Sequence, residues 1–159
     1  MMTPATVSTP SQPVPRRRFR ATDVAENLDM LIIGQICLGV TFSGYSKLLD
    51  AVFSEQSGSL GRLLCALDGA QTSAIRADAH SFKGETSVLG LKALAQQAFH
   101  CEEQGASFTP ADCQQAAAKL RECWDTTQAL CRRMGLVALH DTHLFQRRCG
   151  RVPLLMNLG

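Results

Sequence analysis

The spacing of apolar residues constrains this chain more than any other feature. Around the stretch AHSFKGETSVLG (Ala79 to Gly90), Ile75, Ala79, Phe82, Thr86 and Leu89 follow one another at steps of four, three, four and three. That is the core stripe of an amphipathic helix. The same period runs through Leu48, Leu49, Val52, Phe53, Leu60, Leu63, Leu64 and Leu67, predicting one long helix from Tyr45 onward in spite of Gly58 and Gly61. Asp68 to Ser73 reads as a turn, Gly90 as a helix stop, and Leu91 to Gln104 as the next helix. After the loop GASFTPADC comes a helix with Thr109 as N-cap and Pro110 in its first position, carrying Cys113, Ala117, Leu120, Cys123 or Trp124, Thr127, Leu130 and Met134 and ending at Gly135. TDVAE at Thr22 to Glu26 offers an earlier start, with Thr22 as N-cap. No segment alternates with the period of a strand. The expected architecture is all-α: an antiparallel up-and-down four-helix bundle with an extra N-terminal helix and a short C-terminal extension.

The chain has 159 residues, room for one domain and its tails. Residues 1–20 combine four prolines with Ser, Thr and Gln and should be disordered; the bundle should occupy 21–135 and the extension 136–159, with one short helix in LVALHDTHLFQRR. A net charge of +2 does not point to nucleic acid. Seven cysteines, none in a CxxC pair, suit buried thiols in a reducing compartment. RRRFR at Arg16 to Arg20 is separated by acidic and polar residues from the apolar run Met30 to Phe42, which does not suit a secretory signal, and that run is well short of the ~20 residues that span a bilayer. The expectation is a cytoplasmic monomer with no membrane and no nucleic acid among its partners.

His80 lies about 100° around the helix from the core stripe. Arg76, Lys83, Gly84 and Ser87 stand three, four or seven residues from it and share its face. A core histidine would be in phase with Phe82 and Leu89, and a metal ligand would have other ligands beside it rather than cations. Two cations near an imidazole suit an anion, with phosphate the obvious one. Gly84 costs up to ~1 kcal/mol relative to alanine in mid-helix and lets another surface approach beside the imidazole. On residue physics alone, a reactive solvent-facing histidine and an ordinary surface histidine both remain open.

The spacing His80, Phe82, Lys83, Gly84, Thr86 and Gly90 resembles the histidine-containing phosphotransfer (HPt) domain family of two-component phosphorelays. The likeness extends over roughly Tyr45 to Gln104; Thr86 is slightly larger than the usual Ser or Ala. The resemblance implies that His80 is the phosphorylated nucleophile and that a polar residue on the facing helix holds its other nitrogen, a place that gapless counting assigns to Glu102, with Glu103 the alternative. It further implies that Lys83 and Arg76 offset phosphoryl charge and that Gly84 and Ser87 form a docking surface. By the same resemblance the partners are a response-regulator receiver domain and a hybrid sensor histidine kinase. The chain would need no cofactor of its own, with Mg2+ on the receiver.

No Gly-rich ATP loop of the type GxxxxGK[ST] occurs, so autokinase activity is not expected. The closest rival is an HPt-like binding module that regulates a receiver or kinase without carrying phosphate. A metal site from His140, His143 and Cys149, or from His100 and Cys101, lacks a carboxylate or paired cysteine to complete a tetrahedral set. No cysteine stands in a recognisable Cys and His arrangement for nucleophilic catalysis.

Overall fold

The computed structural model describes residues 19–54 and 58–137. Most of the expected N-terminal tail, the segment 138–159, and with it the HDTH motif and Cys149, lie outside the described residues. Six α-helices follow in order among those described: α1 (Ala21–Asn27), α2 (Met30–Ser54), α3 (Ser59–Asp68), α4 (Thr72–Val88), α5 (Lys92–Gln104) and α6 (Pro110–Arg133), with a single 3-10 turn at Gly105–Ser107. Helices α3, α4, α5 and α6 each pack on the next, α3 closes the ring against α6, and α1 lies on α5. The chain thus folds as an all-α bundle with a helical N-terminal addition.

The caps show why the helices begin where they do. Thr109 Oγ1 accepts the Asp112 N–H at 3.2 Å while Asp112 Oδ2 accepts the Thr109 N–H at 2.9 Å, a reciprocal box with Pro110 at the first position. The Thr109 hydroxyl, donating to Asp112 Oδ2 at 2.6 Å, and then the Thr109 N–H hold the Asp112 carboxyl below its usual pKa. Helix α1 begins one residue before Thr22, not after it, because the Asp23 carboxylate takes the N–H of Arg20 at 2.5 Å. Asp29 caps α2, its Oδ1 accepting the N–H groups of Leu31 and Ile32 at 3.1 Å each.

The long helix expected from Tyr45 to Leu67 is two helices. Gly58 adopts an extended conformation (φ −68°, ψ −163°) as the N-cap of α3, and the next residue, Ser59, is buried with its hydroxyl on the Glu85 carboxylate of α4. Anchoring on α4 outweighs the apolar period, which continues across the break. Helix α2 is itself kinked at Thr41 (φ 67°, ψ 161°), a left-handed conformation that costs a β-branched residue roughly 1–3 kcal/mol. The Thr41 hydroxyl caps the second half by accepting the Gly44 N–H at 3.3 Å.

The core follows the spacing except at Leu48 and Met134, which lie in the apolar stripes but are exposed. Leu49, Leu63, Ile75, Ala79, Leu94, Ala98, Leu120 and Thr127 are fully enclosed, Thr86 among them with its hydroxyl donated to the Phe82 carbonyl at 2.8 Å. Phe53 of α2 meets Trp124 of α6 edge to face at 4.9 Å between centroids. Cys101, Cys113 and Cys131 are buried and free, and burial pushes the Cys131 thiol up to about 12 and the Cys101 thiol up to about 11. The first half of α2 behaves differently. Only Ile33 is buried there, while Leu31, Leu38 and Phe42 face outward. The helical stretch that begins at Met30 is long and apolar enough, by length and composition, to cross a membrane, which the apolar run Met30 to Phe42 alone is not.

Candidate functional site

Helices α4 and α5 are joined by a tight turn at Leu89 to Leu91, in which Gly90 takes φ +74°. The turn folds α5 back along α4, so residues at matching distances from Gly90 face each other. His80 stands ten residues before that glycine and Glu102 twelve after it. His80 Nδ1 lies 2.7 Å from Glu102 Oε1. Lys83, one turn further along α4, places Nζ 2.5 Å from Glu102 Oε2. One carboxylate therefore holds both side chains.

The three groups differ in exposure, and the difference decides their roles. The His80 side chain is 71% exposed, Lys83 29% and Glu102 13%. The Lys83 ammonium, and after it the His80 ring, hold the Glu102 carboxyl below its usual pKa against a desolvation that would raise it. Ionised, that carboxylate can only accept, so His80 Nδ1 carries a proton, and in the neutral ring the lone pair is then on Nε2. The ring as a whole is mostly open to solvent. An exposed imidazole held through one ring nitrogen is an arrangement that can serve as a nucleophile.

The other expected residues lie as helical phase requires. Arg76, Gly84 and Ser87 are exposed, and a Cβ built on Gly84 meets nothing within 4 Å. Glu103 is exposed and takes no part in the clamp. The electrostatics differ from a simple cationic face, because the Lys83 charge is already matched by Glu102. Helical phase alone could not show this, since it places residues on a face without saying which neighbour they touch.

Phe99 was missed by sequence reasoning. Its ring centroid lies 5.5 Å from Lys83 Nζ, a cation–π contact behind the clamp. The signal was available: Phe99 precedes Glu102 by three residues and so shares its face. The rival metal pair separates, with Cys101 buried and His100 exposed beside Phe108 at 5.7 Å between centroids. No group of three metal-ligating side chains occurs among the described residues.

A family model for the Hpt domain matches residues 47–134, which is more than half of the chain. The chain belongs to the Hpt domain family. It is a phosphotransfer-type module of two-component signalling, a phosphocarrier family whose members interact with receiver domains and kinases. No curated protein and no solved structure matches the chain.

Proposed function

We propose that this protein is a histidine phosphotransfer protein that relays a phosphoryl group between receiver-domain aspartates, with His80 Nε2 as the acceptor. The observation that carries this reading is the 2.7 Å contact between His80 Nδ1 and Glu102 on an otherwise exposed ring. In the Nδ1–H tautomer the Nε2 lone pair attacks the phosphorus of the receiver's aspartyl phosphate. The bond from phosphorus to the aspartate oxygen breaks, and its electron pair leaves with the carboxylate. No proton has to move, because Nε2 carries none. The ring becomes a phospho-imidazolium whose positive charge faces Glu102. Transfer to a second receiver reverses these steps.

Phosphoryl transfer asks mainly for positioning and charge stabilisation, which an exposed imidazole on a rigid bundle supplies without a pocket. Lys83 stands within one helical turn of the transferred group, and Arg76, exposed on the preceding turn, adds a second cation. Gly84 and Ser87 leave the surface beside the ring low enough for a receiver to approach. The divalent metal, Mg2+, and the remaining catalytic groups belong to the receiver, and a hybrid sensor kinase is the source of phosphate. The chain works as a cytoplasmic monomer without autokinase activity. Tyr45, Leu49 and Phe53 anchor the second half of α2 in the core.

His80→Gln should fold as the parent does and take no phosphoryl group from a phosphorylated receiver, scored as acid-labile, alkali-stable phosphate. Equal labelling of variant and parent would sink the assignment. Receiver binding without labelling of the parent would make the chain a regulatory binding module instead.

A further inference from the structure

Leu38 of α2 is the most exposed large apolar side chain among the described residues, at 90%, and Leu31 follows at 73%. Gly34 lies between them at steps of three and four, and a Cβ built on it meets nothing within 4 Å. Two leucines with a bare glycine between them form one stripe along the helix. It is turned away from Ile33, Ile36 and Cys37, which pack on the core. No charged residue occurs between Asp29 and Lys47, so the stripe is neutral as well as apolar.

The chain returns to this end of the molecule after α6. Burial first, and then the neighbouring Cys131 of α6 and Cys37 of α2, raise the Tyr45 hydroxyl above its ordinary pKa, so the end of α6 and the first half of α2 meet at Tyr45. Past α6 the Leu136 N–H turns back to the Cys131 carbonyl at 2.9 Å, and Leu136 and Val137 are buried. Residues 138–159 continue from there. Among them Val152, Leu154, Met156 and Leu158 stand at every second position, and the run from Val152 to Gly159 carries no charge. Apolar residues at period two line one side of an extended segment. The residues between Val137 and Val152 can reach up to ~50 Å, while the part of α2 from Met30 to Val40 is only ~16 Å long.

We infer that the chain's own segment from Val152 to Leu158 docks across the Leu31, Gly34 and Leu38 stripe and ties the first half of α2 to the end of the bundle. The tether selects this occupant. A stripe of a few side chains falls far short of the roughly 20–30 residues a side that a stable interface between separate molecules uses. A linked segment competes at an effective concentration in the roughly millimolar range, so a small patch is enough to hold it. The neutral run suits the neutral stripe, while Arg147, Arg148 and Arg151 before it stay in water. No residue of the His80 cluster takes part, and the inference stands apart from the phosphotransfer reading.

Nuclear magnetic resonance of the full-length protein tests it from both sides of the contact. In the parent, methyl groups of Leu31 or Leu38 should show Overhauser contacts with Leu154 or Met156. A double variant, Leu154→Asp with Met156→Asp, should exchange its amides from Gly34 to Gly39 roughly tenfold faster than the parent, with α4 and α5 unchanged. Leu38→Asp, at a position too exposed to carry the fold, should abolish the contacts of Leu31 with Leu154 and Met156. Absence of the methyl contacts in the parent overturns the inference, and so does unchanged exchange from Gly34 to Gly39 in the double variant. An equal acceleration throughout the bundle also overturns it, since the segment would then act on the whole fold. A parent that sediments as a dimer at micromolar concentration, with Leu38→Asp a monomer, assigns the stripe to a second copy. A parent that cosediments with vesicles of phosphatidylcholine and phosphatidylglycerol, with Leu38→Asp left in solution, assigns it to a lipid surface. Either result overturns the inference.

Discussion

Gly84 and Gly90 stand six positions apart, and the two ends of this short span treat a missing side chain in opposite ways. At Gly84, in the middle of α4, a Cβ would meet open space. At Gly90, a Cβ would stand 2.9 Å from Ile33 Cγ1 and 3.1 Å from the Asp29 carbonyl, on a backbone with φ +74°. The surroundings match. The Gly90 carbonyl accepts the Asp29 N–H and the Leu89 carbonyl accepts the Tyr45 hydroxyl, each at 2.8 Å. One end of the hairpin is closed by the start of α2, and the middle is left bare beside His80. Glycine at the first place keeps a surface free; at the second it lets two helices and a turn meet.

Substitution should separate the two places sharply. Gly90→Ala combines a left-handed backbone with a clash against α2, and should cost about 2–4 kcal/mol in denaturant unfolding. A loss under ~1 kcal/mol would mean that the end of the bundle is not closed as described. Glu102→Gln keeps an acceptor for His80 but removes the charge that Lys83 and the phospho-imidazolium face. Transfer from a receiver should slow roughly tenfold, the worth of one charge-assisted hydrogen bond, with stability little changed. The smallest effect belongs to Gly84→Ala, which should stabilise α4 by up to ~1 kcal/mol while leaving His80 reactive. A destabilised Gly84→Ala would show that something in the bundle already occupies that space.

The acid limb offers a finer test of the clamp. The Glu102 carboxyl in the folded protein titrates below its usual 4.5, first because of Lys83 and then His80. Its contribution to stability is therefore fully present above that usual value and is lost as pH falls through the depressed one. The Glu102 carboxyl resonance should show an inflection below 4.5, moving toward the usual value in Lys83→Ala. An unmoved inflection in Lys83→Ala would remove the lysine from the clamp.

Much of this was legible in the residues. The period through Ile75, Ala79, Phe82, Thr86 and Leu89 separates core from face on α4, and the Thr109 and Asp112 cap sets the start of α6. Glu102 was reached through the family resemblance, which implies a polar residue on the facing helix; equal distances from the turn alone point to His100 instead. What stayed hidden depends on contacts between helices. The break before Ser59 is held by a hydroxyl on Glu85, a residue 26 positions away. The kink at Thr41 places a β-branched residue in a backbone conformation that no propensity favours. The pairing of Lys83 with Glu102 turned two free charges into one clamp, and the contact of Phe99 with the Lys83 ammonium likewise joins two helices.

The central claim is that His80 reacts through Nε2 because Glu102 holds Nδ1. Nitrogen-15-labelled protein, phosphorylated by a receiver and followed by phosphorus–nitrogen correlation NMR, tests it directly. One phosphorus resonance coupled to His80 Nε2 is expected, with the Nδ1 proton retained. Phosphate on Nδ1, or on any residue other than His80, would contradict it.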